Sequence, residues 1–200
     1  MASAFEIEYA DRSIYLPRTE TLVVADLHVG RDATSDVELP MGEQSDIRSR
    51  LWAILESHDP ERVVLAGDVL HSFGSIPHGV PETITTIRET IDEFDAGIVA
   101  LRGNHDTMLE SLLDEDVVRS SIVLEDGTVV HHGHEIPESK GDRYVIGHEH
   151  PAIYIEGDRH PCFLECRNQH DGAAVLVLPA FNRFAVGTVV NELSARDCMS

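Results

Sequence analysis

The sequence contains a single lysine, Lys140, in 200 residues; every other fixed positive charge is an arginine. Acidic residues outnumber basic ones by 36 to 15, giving a net charge of -21, and they are spread along the chain instead of forming a tail. Acidity of that size ordinarily argues against a polyanionic partner. Here the argument is weak, because evenly spread acid with almost no lysine looks like adaptation to a salt-rich cytoplasm. At 1 M salt the Debye length is only about 3 Å, so the global charge hardly reaches a ligand. The charge points to a halophile and excludes little about substrate.

Cysteine is equally scarce. Cys162, Cys166 and Cys198 make an odd count with no framework spacing, which argues against a disulfide scaffold. Cys162 and Cys166, near His160 and His170, read as small hydrophobes on one face of a short strand and not as a cysteine-based metal site. No stretch approaches the roughly 18 consecutive apolar residues of a membrane span. The segment from Met1 to Asp11 lacks a basic region followed by an apolar run, so no signal peptide is expected. Both absences point to the cytoplasm and to no membrane partner. Repeats, low-complexity stretches and linkers are also missing. The 200 residues, 42% of them hydrophobic, therefore read as one domain, 1–200, with a sizeable core.

What is present is a regular series of short apolar runs. Phe5–Tyr9, Ser13–Leu16 and Thr21–Ala25 read as strands. Met41 to His58 carries Ile47, Leu51, Ile54 and Leu55 at helical spacing, and Pro81 to Phe94 opens with proline and an acid, as a helix start does. Arg62–Ala66 and Ile98–Leu101 read as buried strands, and His105 to Leu113 as a short helix. Beyond residue 120 the pattern is mostly strand: Ile122–Leu124, Thr128–His132, Tyr144–Ile146, Ala152–Ile155, Cys162–Leu164, Ala174–Leu178 and Val186–Val190. Helices alternating with strands, then strands alone, predict an α/β (α+β) fold of two packed mixed β-sheets flanked by helices, an αββα sandwich.

Five segments place Asp, Asn or His at or just after a predicted strand end, which is where open α/β folds bind ligands. They are Asp26-Leu-His28, Gly67-Asp68, Gly103-Asn104-His105-Asp106, His132-Gly133-His134 and Gly147-His148-Glu149-His150. Residues two apart on extended chain point to one side, so Asp26 and His28 can grip one metal, and the histidines two apart in the last two segments likewise share a side. Gly67 lets the backbone turn tightly at its strand end. Adjacent side chains diverge, which lets Asn104 meet a metal while His105 faces substrate. Each segment alone is a common turn; all five in this order are not.

In this order the motifs resemble the calcineurin-like metallophosphoesterase superfamily over roughly Thr21 to Val190. Ala25-Asp-Leu-His-Val-Gly30, Gly67-Asp-Val-Leu-His71, Ile146-Gly-His-Glu-His-Pro151 and Leu178-Pro-Ala-Phe-Asn182 are most similar to archaeal SbcD-related phosphoesterases and bacterial ligase-associated DNA-repair phosphoesterases. The resemblance implies one metal held by Asp26, His28, Asp68 and His150, and a second held by Asp68, Asn104, His132 and His148, with Asp68 bridging. Oxygen and imidazole ligands without thiolate suit Mn above all, with Fe, Co or Zn as alternatives. Two divalent ions, less the charges of Asp26, Asp68 and one bridging hydroxide, leave a net positive site that attracts phosphate even here.

By the same resemblance the activity is hydrolysis of a phosphoester by a hydroxide that two metals activate. A phosphodiester is the expected substrate, DNA or RNA in repair or turnover. A phosphomonoesterase, a small-nucleotide phosphodiesterase and a non-catalytic metal-binding scaffold are the alternatives. His105 is the candidate general acid, and an intact acid speaks against the scaffold. Asp106 either orients His105 or sits in a helix first turn against the dipole. His71, three after Asp68, is a substrate contact of the nuclease-like members. His134 either supports a ligand from behind or faces substrate. His131 reads as the outward neighbour of His132, and His58, His78, His160 and His170 as surface residues. Arg31, Arg102, Arg143 and Arg183 lie near motifs and are phosphate-binding candidates, although each alone reads as solvated or salt-bridged. The chain stops soon after the core, so the DNA-gripping extension and ATPase partner of SbcD-type nucleases are not expected.

Overall fold

The structure, a computed structural model, describes residues 6–31, 42–71, 74–167, 170 and 172–190. Phe5, Met41 and Cys198 lie outside them. Six strands form the first sheet in chain order: β1 (Glu8–Ala10), β2 (Ser13–Leu16), β3 (Thr21–Val24), β4 (Arg62–Ala66), β5 (Gly97–Leu101) and β6 (Val118–Arg119). The first three pair antiparallel; β3 to β6 run parallel. Parallel neighbours need long crossovers, supplied by α1 (Glu43–His58) between β3 and β4 and α2 (Val80–Asp92) between β4 and β5. Glycines in the left-handed region, Gly42 and Gly79, precede the helices, and Glu43 and Asp46 or Glu82 complement the positive helix ends.

The second sheet contains β7 (Ser121–Val123), β8 (Thr128–His131), β9 (Arg143–Ile146), β12 (Leu164–Cys166) and β13 (Ala174–Val177), in the order β12-β13-β9-β8-β7. Its three central strands are parallel and its two edges antiparallel. Alternation along the strands builds the sandwich. Val23, Ala25, Val64, Ala66, Val99 and Leu101 meet Val130, Val145, Leu176 and Leu178 between the sheets. Their neighbours Leu22, Val24, Val63, Leu65 and Ala100 face Ile47, Leu51, Leu55, Ile84, Ile87 and Ile91 of the two helices. Among the described residues both helices cover the first sheet. The outer face of the second, with Val129, Tyr144 and Val175, packs against Leu164, Cys166 and Ala173.

Three local expectations need correction. A third sheet, β11-β10-β14, combines β10 (Pro151–Ile155) with β11 (Asp158–Pro161) and β14 (Thr188–Val189). Its hairpin turns at Glu156 and Gly157, both at positive φ, the geometry of a two-residue type I′ turn. The polar and fully exposed strand β11 carries no apolar alternation to read. Accordingly Cys162 and Phe163 link β11 to β12 and do not begin a strand. Cys166 is disulfide-bonded and only Cys162 is a free thiol among the described residues; pairing depends on Cα separation in space, which spacing does not reveal. Finally, the segment from His105 to Leu113 winds only one 3-10 turn, Leu109–Ser111. Its amides bond mainly three residues back, to Asp106, Met108 and Leu109, and so short a piece cannot repay α-helix nucleation.

Candidate metal centre

The C-terminal ends of β3, β4, β5, β8 and β9 reach one edge of the sandwich, and all five motifs meet there. The local geometry differs from simple strand alternation. Asp26, His28, Asp68, His148 and His150 all have φ between 42° and 64°. For non-glycine residues that conformation is uncommon, and it costs about 1–3 kcal/mol at each position. The pairs Asp26/His28 and His148/His150 therefore share a side because both members sit in left-handed turns, not because the chain is extended.

Hydrogen bonds hold these turns. The His28 and Val29 amides donate to the Asp68 and Val69 carbonyls at 2.8 Å, tying the first motif to the second. The His148 amide donates to both oxygens of Asp26, and the His105 amide to Asp68 Oδ1 at 2.9 Å. Three glycines let the loops interlock: a Cβ on Gly67 would lie 2.3 Å from His132 Nδ1, on Gly103 2.2 Å from Asp68 Oδ1, and on Gly147 2.4 Å from Asp26 Oδ2.

Two groups of donor atoms result. In the first, His150 Nε2 lies 3.2 Å from Asp26 Oδ1 and 3.3 Å from His28 Nε2, and His28 Nε2 lies 3.8 Å from Asp68 Oδ2. In the second, His132 Nε2 lies 3.4 Å from Asp68 Oδ1, 3.1 Å from Asn104 Oδ1 and 3.2 Å from His148 Nδ1. One carboxylate, Asp68, presents a different oxygen to each group.

The residues fit a pair of cations. Ligands about 2.1 Å from one ion, at octahedral to tetrahedral angles, stand about 3.0–3.4 Å apart; the second group and the Asp26, His28 and His150 contacts of the first have these separations, while Asp68 Oδ2 stands wider, 3.8 Å from His28 Nε2. Facing imidazole nitrogens have no reason to converge so closely without a shared proton or cation. His132 Nδ1 is 3.3 Å from the Ala66 carbonyl, an arrangement that puts the ring proton on Nδ1 and leaves the Nε2 lone pair for a metal.

The protonation states agree. Burial, reinforced by the positive potential of His150, lowers His28 to about 3, so its ring is neutral at pH 7. Burial pushes Asp68 up, but the His132 hydrogen bond and charge and the His105 amide outweigh it and hold the carboxyl at about 2. Burial lowers His148 as well. Burial also works against protonated His132, yet Asp68 and Asp26 raise it on balance; this imidazole is where a cation would replace a proton.

His71 and His105 stand beside the first group. Their rings are parallel, 9° apart in tilt with centroids 5.9 Å apart, and both meet His28 edge-on. His105 Nδ1 is 2.9 Å from the His71 carbonyl, and its Nε2 points to Asp68 Oδ2 at 3.8 Å. His71 O is thus the group that orients His105. The Asp106 carboxylate instead accepts the amides of Val69, Leu70 and Gly103 at 2.8–3.2 Å, clamping the second and third motifs together. His134 is half-buried, with its ring 5.1 Å from that of His132 and 6.2 Å from that of His148.

Other sequence readings change. His131 faces the outer side of the second sheet, as its place beside His132 suggests, but it is buried there; it packs edge-on against Tyr144, and burial lowers it to about 4. Arg143 is buried against Asp126 and Thr128 under the second sheet, and Arg102 pairs with Glu110. Arg31 donates to the Phe184 carbonyl at 2.8 Å, and Arg183 pairs with Asp46. Glu43 and Asn182 were not candidates, yet both are buried behind the first motif. Glu43 accepts from the Gly30 amide at 2.7 Å, and Asn182 Nδ2 donates at 2.8 Å to Glu43 and to the Leu27 carbonyl. The Leu178–Asn182 motif was the available signal for Asn182; nothing local marks Glu43.

Fold and site together define a binuclear metal-dependent phosphoesterase, a hydrolase of phosphoester bonds. Residues 19–171 match the calcineurin-like phosphoesterase family, and the chain belongs to it. Its structure is similar to that of the nuclease MPE of Pseudomonas putida, with a TM-score of 0.71, 27% identity, and coverage of 93% of this chain and 86% of that one. The fold is also that of Yfce, a phosphoesterase from E. coli, at TM-score 0.52 and 16% identity over 88% and 84% of the chains. No curated protein sequence matches the chain significantly. No described helix is long and apolar enough to cross a membrane.

Two predictions test this packing. In Gly103→Ala the new methyl meets Asp68 Oδ1 and the Asp68 backbone nitrogen, 2.3 Å away, and a backbone atom has no rotamer to escape into. The variant should lose about 1–3 kcal/mol of stability and part of its metal content, read by urea unfolding and elemental analysis. An unchanged midpoint and full metal content would refute the close contact. The second concerns pH. His28 and His131 titrate near 3 and 4 in the fold against about 6.5 unfolded. Their stabilising contribution is complete above pH 6.5 and is lost as pH falls toward 3, because the unfolded chain binds the extra protons. His132, raised in the fold, acts in the opposite sense. Metal-free protein in 1 M NaCl should unfold at lower urea at pH 4.5 than at pH 7.5; a flat profile would contradict it.

Proposed function

We propose that this chain is a metal-dependent phosphodiesterase that cuts nucleic-acid strands. The first ion is held by Asp26, His28, Asp68 and His150, and the second by Asp68, Asn104, His132 and His148. The observation that carries the reading is the Asp68 carboxylate, which offers Oδ2 to one donor group and Oδ1 to the other. Manganese is our choice among the ions that oxygen and imidazole donors suit, with iron, cobalt or zinc as alternatives. When bound, two such ions polarise the phosphoryl group and acidify water.

The remaining chemistry belongs to the chain. With its Nδ1 proton committed to the His71 carbonyl, His105 gives up the proton on Nε2 to the departing oxygen. His71 and His134 flank the centre and contact the phosphate, and Asp106 positions the loop that carries His105. A diester, not a monoester, is favoured by His71 three residues after Asp68 and by likeness to a nuclease at 27% identity. The same features favour the SbcD-related and ligase-associated branch of the family. We assign the protein, as a single catalytic domain, to the cytoplasm of a salt-adapted cell on its even acidity and lone lysine. The test is a panel run on manganese-loaded protein: aryl mono- and diesters, cyclic nucleotides, and single- and double-stranded DNA and RNA. Turnover of aryl monoesters alone would overturn the diester reading.

A further inference from the structure

In a chain of net charge -21 with 15 basic residues, three arginines line one small cleft. Arg12, Arg159 and Arg183 surround a cavity of about 240 Å³ whose wall includes His150 of the metal centre, with Pro161 and Val186 as an apolar margin. The three come from distant parts of the chain: the β1–β2 turn, the exposed strand β11, and the residue after Asn182. Only the tertiary fold assembles them.

The cleft is locally positive. Arg12 donates to the carbonyls of Ala180 and Asn182, and Arg159 to the carbonyl of Gly187, so neither bond neutralises a charge. Arg50 and Arg183 share Asp11 and Asp46. The guanidiniums of Arg12, Arg50, Arg159 and Arg183 thus outnumber the carboxylates paired with them by two. The crowding carries an electrostatic cost: burial and the neighbouring charges of Arg50 and Arg183 depress Arg12, with Asp11 only partly compensating. An anion in the cleft would relieve that repulsion. By contrast, the cavity on the opposite flank, about 500 Å³ beside His132 and His134, has one arginine, Arg102, against Glu135 and Glu138. The two sides of the centre therefore differ in charge.

We infer that the Arg12–Arg159–Arg183 cleft binds a backbone phosphate of a nucleic-acid strand adjacent to the scissile one, so that the strand leaves the metal centre on the His150 side. This rests on the phosphodiesterase reading above. A mononucleotide ester or an aryl diester has no second phosphate to offer this cleft; a strand does. Guanidiniums suit the role because they are always charged and present planar forks to phosphate oxygens.

The test compares wild type with Arg159→Glu, Arg159→Lys and, as a control for global charge, Arg167→Glu, just after the edge strand β12. Arg159 is exposed and its side chain is not packed in the core, so its variants should fold. Anisotropy of a fluorescein-labelled, phosphorothioate-linked single-stranded 12-mer reads binding, and hydrolysis of bis(p-nitrophenyl) phosphate reads the centre without a flanking phosphate. Arg159→Glu should weaken 12-mer binding by at least about tenfold and flatten the dependence of log K on log salt by about 0.7. Its loss on the 12-mer should exceed its loss on the aryl diester by a similar factor. Arg159→Lys should recover most of the binding, and Arg167→Glu should stay within about twofold of wild type. If Arg159→Glu binds the 12-mer with wild-type affinity and salt slope, or if Arg167→Glu loses as much, the cleft assignment is overturned while nucleic-acid cleavage stands. If wild type hydrolyses the aryl diester but neither binds nor cuts a 12-mer, the nucleic-acid reading fails and the cleft with it.

Discussion

Replacing His105 with alanine should lower turnover of a natural nucleotide diester by about 10²–10⁴-fold and leave both metal ions bound. His105 belongs to neither of the donor groups that contain Asp68, although its Nε2 approaches the Asp68 carboxylate at 3.8 Å. Its ring is fixed by the His71 carbonyl on Nδ1, so the mobile proton is on Nε2, directed at the centre. An alkoxide leaving group needs that proton. A nitrophenolate does not, because it is already a stable anion. The defect should therefore be large on the nucleotide linkage and small on bis(p-nitrophenyl) phosphate. Equal defects on the two substrates would make His105 a positioning or charge-stabilising group. Loss of an ion would make it a ligand, in keeping with its place beside His28 and His71, where three imidazole nitrogens lie within 4.8 Å.

Asp68→Asn should be the most damaging single change for metal binding. Asp68 is the residue whose two oxygens face different donor groups, and its amide replacement removes a charge and turns one oxygen into an NH₂ that cannot ligate. Both affinities should drop, and turnover should fall by at least about 10²-fold because an in-line displacement needs both ions. The carboxylate also accepts the His105 amide through Oδ1, so the third motif loses an anchor. His150→Ala removes a ligand from the first group only and should mainly weaken one ion. Calorimetric titration with manganese separates the cases: two events lost or weakened in Asp68→Asn, one in His150→Ala. Unchanged stoichiometry and affinity in Asp68→Asn would refute the bridge.

The motifs were readable because each is local. A glycine that turns the chain at the end of an apolar β-branched run, followed by a candidate donor residue, leaves a signature within four or five residues. Gly67-Asp68 and Gly147-His148 are of this kind. The geometry inside them was not readable. Strand alternation explained the pairs two apart, but the left-handed φ of Asp26, His28, His148 and His150 is set by bonds to other loops, such as His28 N to the Asp68 carbonyl.

By itself, then, the sequence marked the sandwich, through the short continuous apolar runs of β3, β4, β5, β8, β9 and β13, and the candidate donor residues, through their place after those strands. The family resemblance already implied how those donors divide into two sets; the tertiary structure alone decided how closely they approach and which buried groups brace them. Glu43 and Asn182 are 139 residues apart yet share a hydrogen bond behind Asp26 and His28, and Asp106 spends its carboxylate on backbone amides 36 and 37 residues upstream. It also decided that Arg12, Arg159 and Arg183 converge beside His150. The physical reason is that hydrophobic periodicity is a property of neighbours along the chain, whereas buried polar groups take whichever partners the packed loops bring within about 3 Å.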